Sequence, residues 1–239
     1  MYCQFRHSEI PLSFHMPYAK IMKISKPLSI DFNTITTLVF DWGGVITNID
    51  PEATINAFAE LGHRSFPNYF NGAVHDTLFL QFEKGEVNDE EIYARLRSAI
   101  GKPVPEDKLK QALCAMLLDT PVSRLKLLEK LKQKFRLLLL SNTNSIHSGY
   151  YNNYLLHKYK IDFKSLFDKV YYSHEIGMRK PDSEIFQYVL SDAGLNPVET
   201  LFIDDSEINI GVARSLNIQC IHLDNSITME DVFTDQINF

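Results

Sequence analysis

The sequence contains little cysteine and no long apolar run. Its three cysteines, Cys3, Cys114 and Cys220, are widely spaced and form no CxxC pair, which argues against a disulfide framework and against a zinc knuckle. No stretch reaches the roughly 18 consecutive apolar residues of a transmembrane helix. The first residues, MYCQFRHSEI, lack the apolar core of a signal peptide. These absences predict a cytoplasmic protein with no membrane partner.

Basic residues are outnumbered by acidic ones, with 24 Lys and Arg against 30 Asp and Glu. The 239 residues have a formal net charge of −6 at pH 7 and a sequence pI near 5.7. Proteins that bind duplex nucleic acid are usually basic, so we expect no nucleic-acid partner. Hydrophobic residues make up 45% and charged residues 23% of the chain, a composition typical of globular proteins.

Apolar segments of strand length alternate with helical patterns over most of the chain. The segments lie at about 36–42, 136–140, 169–173, 200–203 and 219–223. Alternation of this kind predicts an α/β fold, a doubly wound parallel five-stranded sheet with right-handed crossovers. We assign residues 36–50 and 120–239 to this core and residues 1–35, which show no clear period, to an N-terminal extension.

Residues 51–119 show helical patterns without convincing strands. Pro51 suits the first turn of a helix that ends before Gly62, and Asn88 with Glu91 three residues later resembles a capping box. The apolar stripes of these segments are typical of a small helical bundle. The sequence therefore predicts a helical domain inserted after the first strand.

Polar side chains follow several predicted strands or the loops after them. They are Asp41, Ser141, Lys180 and the pair Asp204 and Asp205. Each has a purely structural alternative. Asp41 would belong to an ordinary Asp-x-Gly turn after a strand, Ser141 or the two adjacent acids would cap a helix, and Lys180 would be a solvated lysine before Pro181. Because ligands bind at the carboxyl edge of open α/β sheets, we expect these groups to form one site.

The charges of these groups indicate a ligand. Asp41, Asp204 and Asp205 bring three negative charges against the single positive charge of Lys180, and oxygen ligands with excess negative charge favour Mg²⁺ over zinc. Lys180, the Ser141 hydroxyl and the amides that open the helix after Thr143 then suit a phosphate. The site is predicted to catalyse Mg²⁺-assisted phosphoryl transfer, with Asp41 as a candidate nucleophile.

Four segments resemble the motifs of one family, the haloacid dehalogenase-like (HAD) hydrolases, in the order that the family has. They are DWGGV at 41–45, LLLLSNTN at 137–144, HEIGMRKPDSEIF at 174–186 and FIDDSEINIGVA at 202–213. The resemblance implies a Rossmannoid core, and it identifies residues 51–119 as a helical cap that closes over the site. The short interval from Ser141 to Lys180 excludes the alternative cap position.

The resemblance also implies roles for individual residues. Asp41 matches the nucleophile that forms an aspartyl phosphate, Lys180 the invariant lysine, and Asp205 the usual metal ligand with Asp204 as a supporting acid. The implied metal site, for Mg²⁺, comprises Asp41, the Gly43 carbonyl, Asp204 and Asp205, and the implied substrate-binding residues are Ser141, Asn142 and Lys180. The expected function is a phosphatase acting on a small phosphorylated metabolite, with a sugar phosphate as one candidate.

One position departs from the family pattern. Most phosphatases of the family have a second aspartate two residues after the nucleophile, where it acts as general acid, but this chain has Gly43. A substrate with a good leaving group, such as an anomeric sugar phosphate or an acyl phosphate, needs this acid less. The combination of Asp-x-Gly with Ser-Asn-Thr-Asn and Arg-Lys-Pro resembles the branch that includes glucose-1-phosphate phosphatase, which favours a substrate of this kind.

Gly43 is also compatible with two alternatives. Asp50, His75 or Asp76 would replace the missing acid, or the protein would be a weak or inactive enzyme that binds a phosphorylated ligand or partner. A haloacid dehalogenase is disfavoured, because that branch needs no metal and commonly has a tyrosine at the position of Gly43. The sequence does not specify the substrate or the oligomeric state.

Overall fold

The computed structural model describes residues 30–64, 66, 77–224 and 226–234. Its five strands are β1 (Thr37–Phe40), β2 (Arg136–Ser141), β3 (Lys169–Tyr172), β4 (Thr200–Asp204) and β5 (Gln219–His222). Its described α-helices are α1 (Pro51–Leu61), α2 (Thr77–Glu83), α3 (Asp89–Ile100), α4 (Glu106–Cys114), α5 (Val122–Leu131), α6 (Ser145–Tyr159), α7 (Ser173–Ile176), α8 (Ser183–Ala193), α9 (Glu207–Ser215) and α10 (Met229–Thr234). None of these helices is long and apolar enough to cross a membrane.

The five strands form one parallel sheet in the order β3-β2-β1-β4-β5. The first strand of the chain is therefore the central one, and Val39 lies between Leu138 of β2 and Phe202 of β4. All four residues of β1 are buried, as expected for a parallel strand covered by helices on both faces. The predicted doubly wound, five-stranded α/β fold is confirmed.

Several predicted boundaries shift by a few residues. The first strand ends at Phe40 rather than at residue 42, although the Asp41 amide still donates a 2.9 Å hydrogen bond to Ile203 O. Residue 173, the predicted end of the third strand, instead begins the short helix α7.

Helices α1 to α4 share a second apolar core. Its buried side chains include Phe58 of α1, Phe82 of α2, Leu96 of α3 and Leu109 of α4, and Ile146 of α6 packs against the same cluster. Local signals in the sequence explain the helix ends, because the Asn88 side chain accepts a hydrogen bond from the Glu91 amide and Gly101 ends α3 in the left-handed conformation. These helices occupy the segment that we interpret as the cap.

The two connections between the sheet and the α1–α4 helices lie side by side. The Asn48 amide donates to Asp119 O, the Leu118 amide to Asn48 O and the Asp50 amide to Met116 O, at 2.9–3.0 Å. This antiparallel pairing explains why α4 ends at Cys114. We call residues 47–50 and 116–120 the linker ribbon.

Candidate active site

Asp41, Lys180 and Asp204 meet at the carboxyl edge of the sheet. The Lys180 ammonium lies 2.7 Å from Asp41 Oδ1 and 2.6 Å from Asp204 Oδ2. Lys180 is 1% exposed, Asp204 is fully buried and Asp41 is 9% exposed. The alternative that Lys180 is an ordinary solvated lysine is therefore wrong. The two acids reach the site because they follow β1 and end β4, which are neighbours in the sheet.

Asn142 fixes the backbone of Lys180. Its side-chain Nδ2 donates to Lys180 O at 2.7 Å, and its Oδ1 accepts from the Lys180 amide at 2.8 Å. These paired bonds attach the loop before α8 to the end of β2. The geometry therefore shows a positioning role for Asn142, and its predicted role in substrate binding stays a prediction.

Asp204 is saturated with hydrogen bonds. In addition to Lys180, its carboxylate accepts from the Ser206 amide at 2.8 Å and from Asn209 Nδ2 at 3.0 and 3.1 Å. Ser206, rather than either acid, caps α9. The sequence did not identify Asn209 as a site residue, because its hydrogen bonds to Asp204 form only where the first turn of α9 faces back to that carboxylate.

Asp205 is exposed at the mouth of the site. Its carboxylate lies over Gly44, where a Cβ atom would stand 2.1 Å from Asp205 Oδ2, and Gly44 has a φ of +75°. Glycine at this position therefore provides both the left-handed backbone conformation and the space for the acid.

Burial and neighbouring charges shift the pKa values of Asp41 and Lys180. The pKa of Asp41 rises to about 7, chiefly because burial disfavours its charged form, and the charges of Asp204 and Asp205 add to this effect against the opposing charge of Lys180. Burial alone would lower the pKa of Lys180, but the charges of Asp41 and Asp204 and the hydrogen bonds to them raise it. The ammonium therefore stays charged.

The donor set fits a hard divalent cation. One carboxylate oxygen from each of Asp41, Asp204 and Asp205 lies within 4.8 Å of the others, and Gly43 lines the same cavity. Oxygen donors with net negative charge are the ligands that Mg²⁺ prefers. Because Asp204 is buried and fully hydrogen-bonded, Asp41 and the exposed Asp205 are the carboxylates best placed for direct coordination.

A cavity of about 170 Å³ opens in front of Asp41. Its described polar lining includes Ser141, Asn142, Thr143, Lys180 and Asn209, and its apolar lining consists of Trp42, Ile49, Met116 and Leu117. The apolar side chains come from the loop after β1 that contains Asp41 and Trp42, which we call the Asp41 loop, and from the linker ribbon. The cavity therefore has a polar end at the sheet and an apolar wall on the side of α1–α4.

Ser141 ends β2 and lines the cavity. It does not cap α6, because the Asn144 side chain accepts the hydrogen bond from the His147 amide. The Thr143 amide donates to Ser173 Oγ at 2.9 Å. The Thr143 and His147 amides are therefore engaged within the protein, and the predicted contribution of the amides after Thr143 to phosphate binding stays a prediction.

His147 also lines the cavity, although nothing in the sequence identified this histidine as a site residue. Its Nε2 lies 3.0 Å from Leu113 O, and a carbonyl only accepts, so Nε2 carries the proton. Burial lowers the pKa of His147 to about 4. This histidine is therefore neutral near pH 7 and bonded to the last turn of α4.

Of the three candidate substitutes for the missing acid, only Asp50 lies among the described residues, and it does not line the cavity. Asp50 is exposed and caps α1, with its side chain accepting from the Glu52 amide at 3.1 Å. His75 and Asp76 lie outside the described residues. Gly43 itself faces Ile49, since a Cβ atom built on residue 43 would lie 3.4 Å from Ile49 Cδ1.

Comparisons with known proteins agree with the motifs. Residues 35–217 match the haloacid dehalogenase-like hydrolase family. The D-ribitol-5-phosphate phosphatase of Bacteroides thetaiotaomicron is 27% identical over 204 residues, which cover 85% of this chain and 99% of that protein.

Solved structures give the same result. An HAD family enzyme of Bacteroides thetaiotaomicron in complex with magnesium and inorganic phosphate is 37% identical with a TM-score of 0.78, covering 83% of this chain and 99% of that one. An HAD-like family hydrolase of Porphyromonas gingivalis is 30% identical with a TM-score of 0.79, covering 86% and 99%. The chain therefore belongs to the haloacid dehalogenase-like hydrolases.

Proposed function

We propose that this protein is a Mg²⁺-dependent phosphatase that hydrolyses a small phosphorylated metabolite through an aspartyl phosphate on Asp41. The observation that supports this proposal most directly is the buried Lys180 ammonium, which contacts both Asp41 and Asp204. A nucleophilic carboxylate, a fixed cation and a set of oxygen donors around one cavity are what phosphoryl transfer requires.

In the proposed reaction, Asp41 attacks phosphorus and the leaving oxygen departs from the opposite side. Lys180 and the Ser141 hydroxyl bind oxygens of the phosphoryl group, while Asn142 and Asp204 hold Lys180 in place. When bound, Mg²⁺ offsets the negative charge of the carboxylates and of the phosphoryl group. Water then attacks the aspartyl phosphate, which regenerates Asp41 and yields inorganic phosphate.

We propose that the substrate is a phosphorylated metabolite of low mass, with a sugar phosphate as one candidate. Support comes from the relative named a D-ribitol-5-phosphate phosphatase and from the relative solved with magnesium and inorganic phosphate. A cavity of about 170 Å³ is also smaller than the several hundred Å³ typical of sites for drug-sized ligands. We further propose a cytoplasmic location and a cap comprising residues 51–119.

The test is phosphate release from a panel that includes D-ribitol 5-phosphate, anomeric sugar phosphates, acyl phosphates and nucleotides, with Mg²⁺ and with EDTA. We expect release by the wild type with Mg²⁺ and none by Asp41→Asn. Asp50→Asn is the matched control, because asparagine caps helices as well as aspartate does and Asp50 is exposed. Its full activity would also eliminate Asp50 as a replacement acid.

Two outcomes would contradict the proposal. Release of halide from a haloacid in the presence of EDTA would indicate a dehalogenase. Absence of phosphate release from folded protein, combined with a rise in melting temperature on adding Mg²⁺ and inorganic phosphate, would indicate a binding protein.

A further inference from the structure

A half-buried ion pair joins α2 to the loop that carries Lys180. Arg179 Nε donates to Glu83 Oε2 at 2.9 Å, and Glu83 is the last residue of α2. Arg179 directly precedes Lys180, whose ammonium lies between the carboxylates of Asp41 and Asp204. The pair therefore connects the inserted helices to the residue next to the central cation of the site.

The chain after α2 lies directly against the core. Gly85, two residues after Glu83, has a φ of +69°, and a Cβ atom at this position would stand 2.2 Å from His174 O. The contact continues at the start of α3, where the Asp89 carboxylate accepts a hydrogen bond from Ser145 Oγ of α6. Because glycine alone allows so close an approach, backbone packing as well as charge sets the position of Glu83 relative to the Lys180 loop.

The loop at 177–182 is held from two sides. On the core side, Asn142 forms two hydrogen bonds with the backbone of Lys180. On the side of α2, Glu83 binds the side chain of Arg179. Burial raises the pKa of the Glu83 carboxyl, and the charges of Arg179 and Lys180 both oppose that rise. Glu83 therefore lies close enough to interact with the two consecutive cations.

We propose that Glu83 and Arg179 are positioning residues for the phosphatase reaction, and that their ion pair holds Lys180 in the geometry that phosphoryl transfer requires. This inference rests on the proposed function and adds to it two residues that do not line the described cavity. A displacement of about 1 Å at a catalytic group can lower a rate about 10²-fold. Loss of the pair is therefore expected to slow the reaction from outside the cavity.

The same pair is expected to contribute little to folding. The side chains of Arg179 and Glu83 are 22% and 29% exposed, and ion pairs that water can reach contribute little to stability. A positioning role and a merely structural role therefore predict different results. The first predicts slower catalysis in a protein of nearly unchanged stability, and the second predicts that any loss of activity follows a loss of folded protein.

The test is a double-mutant cycle of Glu83→Gln, Arg179→Gln and the double variant, with kcat and KM measured on the panel substrate that the wild type hydrolyses fastest. Glutamine removes the charge while keeping the shape of glutamate and part of the length of arginine. Arg179→Lys retains the positive charge. Lys84→Gln is the matched control, because Lys84 follows Glu83 directly and forms a longer, more exposed pair with Asp182 at 3.6 Å.

We expect Glu83→Gln and Arg179→Gln each to lower kcat at least about tenfold with little change in KM. The double variant should lose no more than the more affected single variant, because both substitutions break one contact. Arg179→Lys should retain more activity than Arg179→Gln, and Lys84→Gln should match the wild type. Melting temperatures should stay within about 4 °C of the wild type.

Wild-type kcat in Glu83→Gln would overturn the inference. Additive losses in the double variant would also overturn it, because they would show that the two charges act independently. A rise in KM at unchanged kcat would instead place the pair in substrate binding, and a loss of activity that follows a loss of folded protein would make it structural. Absence of phosphate release from the wild type would overturn the proposed function, on which the inference depends.

Discussion

At the scale of single residues, the site depends on a buried cation between two acids. The sequence identified Asp41, Ser141, Lys180, Asp204 and Asp205 because each follows a strand or the loop after one, and the structure brings all five to one cavity or its immediate border. Asn209 and His147 were not identified. Their positions depend on how α9 and α6 are rotated against the sheet, and no local pattern in the sequence reports that rotation.

Removing the Lys180 ammonium leaves the Asp41 and Asp204 carboxylates without a compensating positive charge. We expect Lys180→Met to abolish phosphatase activity and to lower the free energy of unfolding, in the absence of metal, by about 3–5 kcal/mol, as is typical when one member of a buried ion pair is removed. Urea unfolding measures this loss, and added Mg²⁺ should recover part of it. Lys108→Met, at an exposed position of α4, is the control, and an equal stability of the two variants would contradict the account.

Gly44 provides space for Asp205. Gly44→Ala places a Cβ atom 2.1 Å from Asp205 Oδ2 at a φ of +75°, so we expect a loss of about 1–2 kcal/mol in stability from the backbone alone and weaker Mg²⁺ binding. Calorimetric titration with Mg²⁺ measures the second effect. Gly211→Ala, where no atom lies within 4 Å of the new Cβ, should stabilise α9 and leave Mg²⁺ affinity unchanged.

His147 is expected to make stability depend on pH. Its pKa is lowered from 6.5 to about 4 by burial, so below about pH 6.5 the unfolded chain binds a proton that the folded protein does not. His147 therefore adds to the stability of the folded protein above pH 6.5, and this added stability is lost as pH falls toward 4. Urea unfolding of wild type and His147→Gln across this window should give a difference that shrinks with falling pH, and a constant difference would contradict the assignment.

At the scale of elements, the sequence predicted the alternation of strands and helices, but it did not predict the contacts between segments that are distant along the chain. The strands appear in the sequence as short apolar runs, and their ends differ from prediction by one or two residues. The linker ribbon could not be predicted, because it pairs residues about 70 positions apart through backbone hydrogen bonds. Nor did the sequence show that Tyr151 of α6 is fully buried against Trp42.

A chain of hydroxyl groups stabilises the linker ribbon. Trp42 Nε1 donates to Thr47 Oγ1 at 2.9 Å, Thr47 Oγ1 lies 2.7 Å from Thr120 Oγ1, and Thr120 contacts the Tyr151 hydroxyl. The chain joins the residue after Asp41 to both connections of the α1–α4 helices. It therefore couples the position of the Asp41 loop to the position of those helices.

Thr120→Val tests this chain. Valine keeps the shape of threonine but leaves the hydroxyls of Thr47 and Tyr151 without their shared partner, so we expect a loss of about 1–3 kcal/mol. Thr120→Ser retains the hydroxyl and should lose less than Thr120→Val. Chemical unfolding of both variants provides the comparison, and a larger loss for serine than for valine would show that packing of the methyl group matters more than the hydrogen bonds.

At the scale of the whole molecule, the central position of β1 places Asp41 where the other groups converge. Neighbouring strands β2 and β4 end in Ser141 and Asp204, and the loop after α7 contributes Lys180. The α1–α4 helices are inserted directly after Asp41, so the linker ribbon forms one wall of the cavity. The identity of the substrate does not follow from this arrangement, since side chains that contact a leaving group obey no positional rule in the sequence.

The central claim is that Asp41 receives the phosphoryl group. Its most direct test is intact-protein mass spectrometry after rapid acid quenching of a reaction with an aryl phosphate and Mg²⁺, followed by peptide mapping. We predict one covalent phosphoryl group on the peptide that contains Asp41, and none on Asp41→Asn or in the presence of EDTA. Phosphate release without any phosphorylated protein, or a phosphoryl group mapped to another residue, would contradict the account.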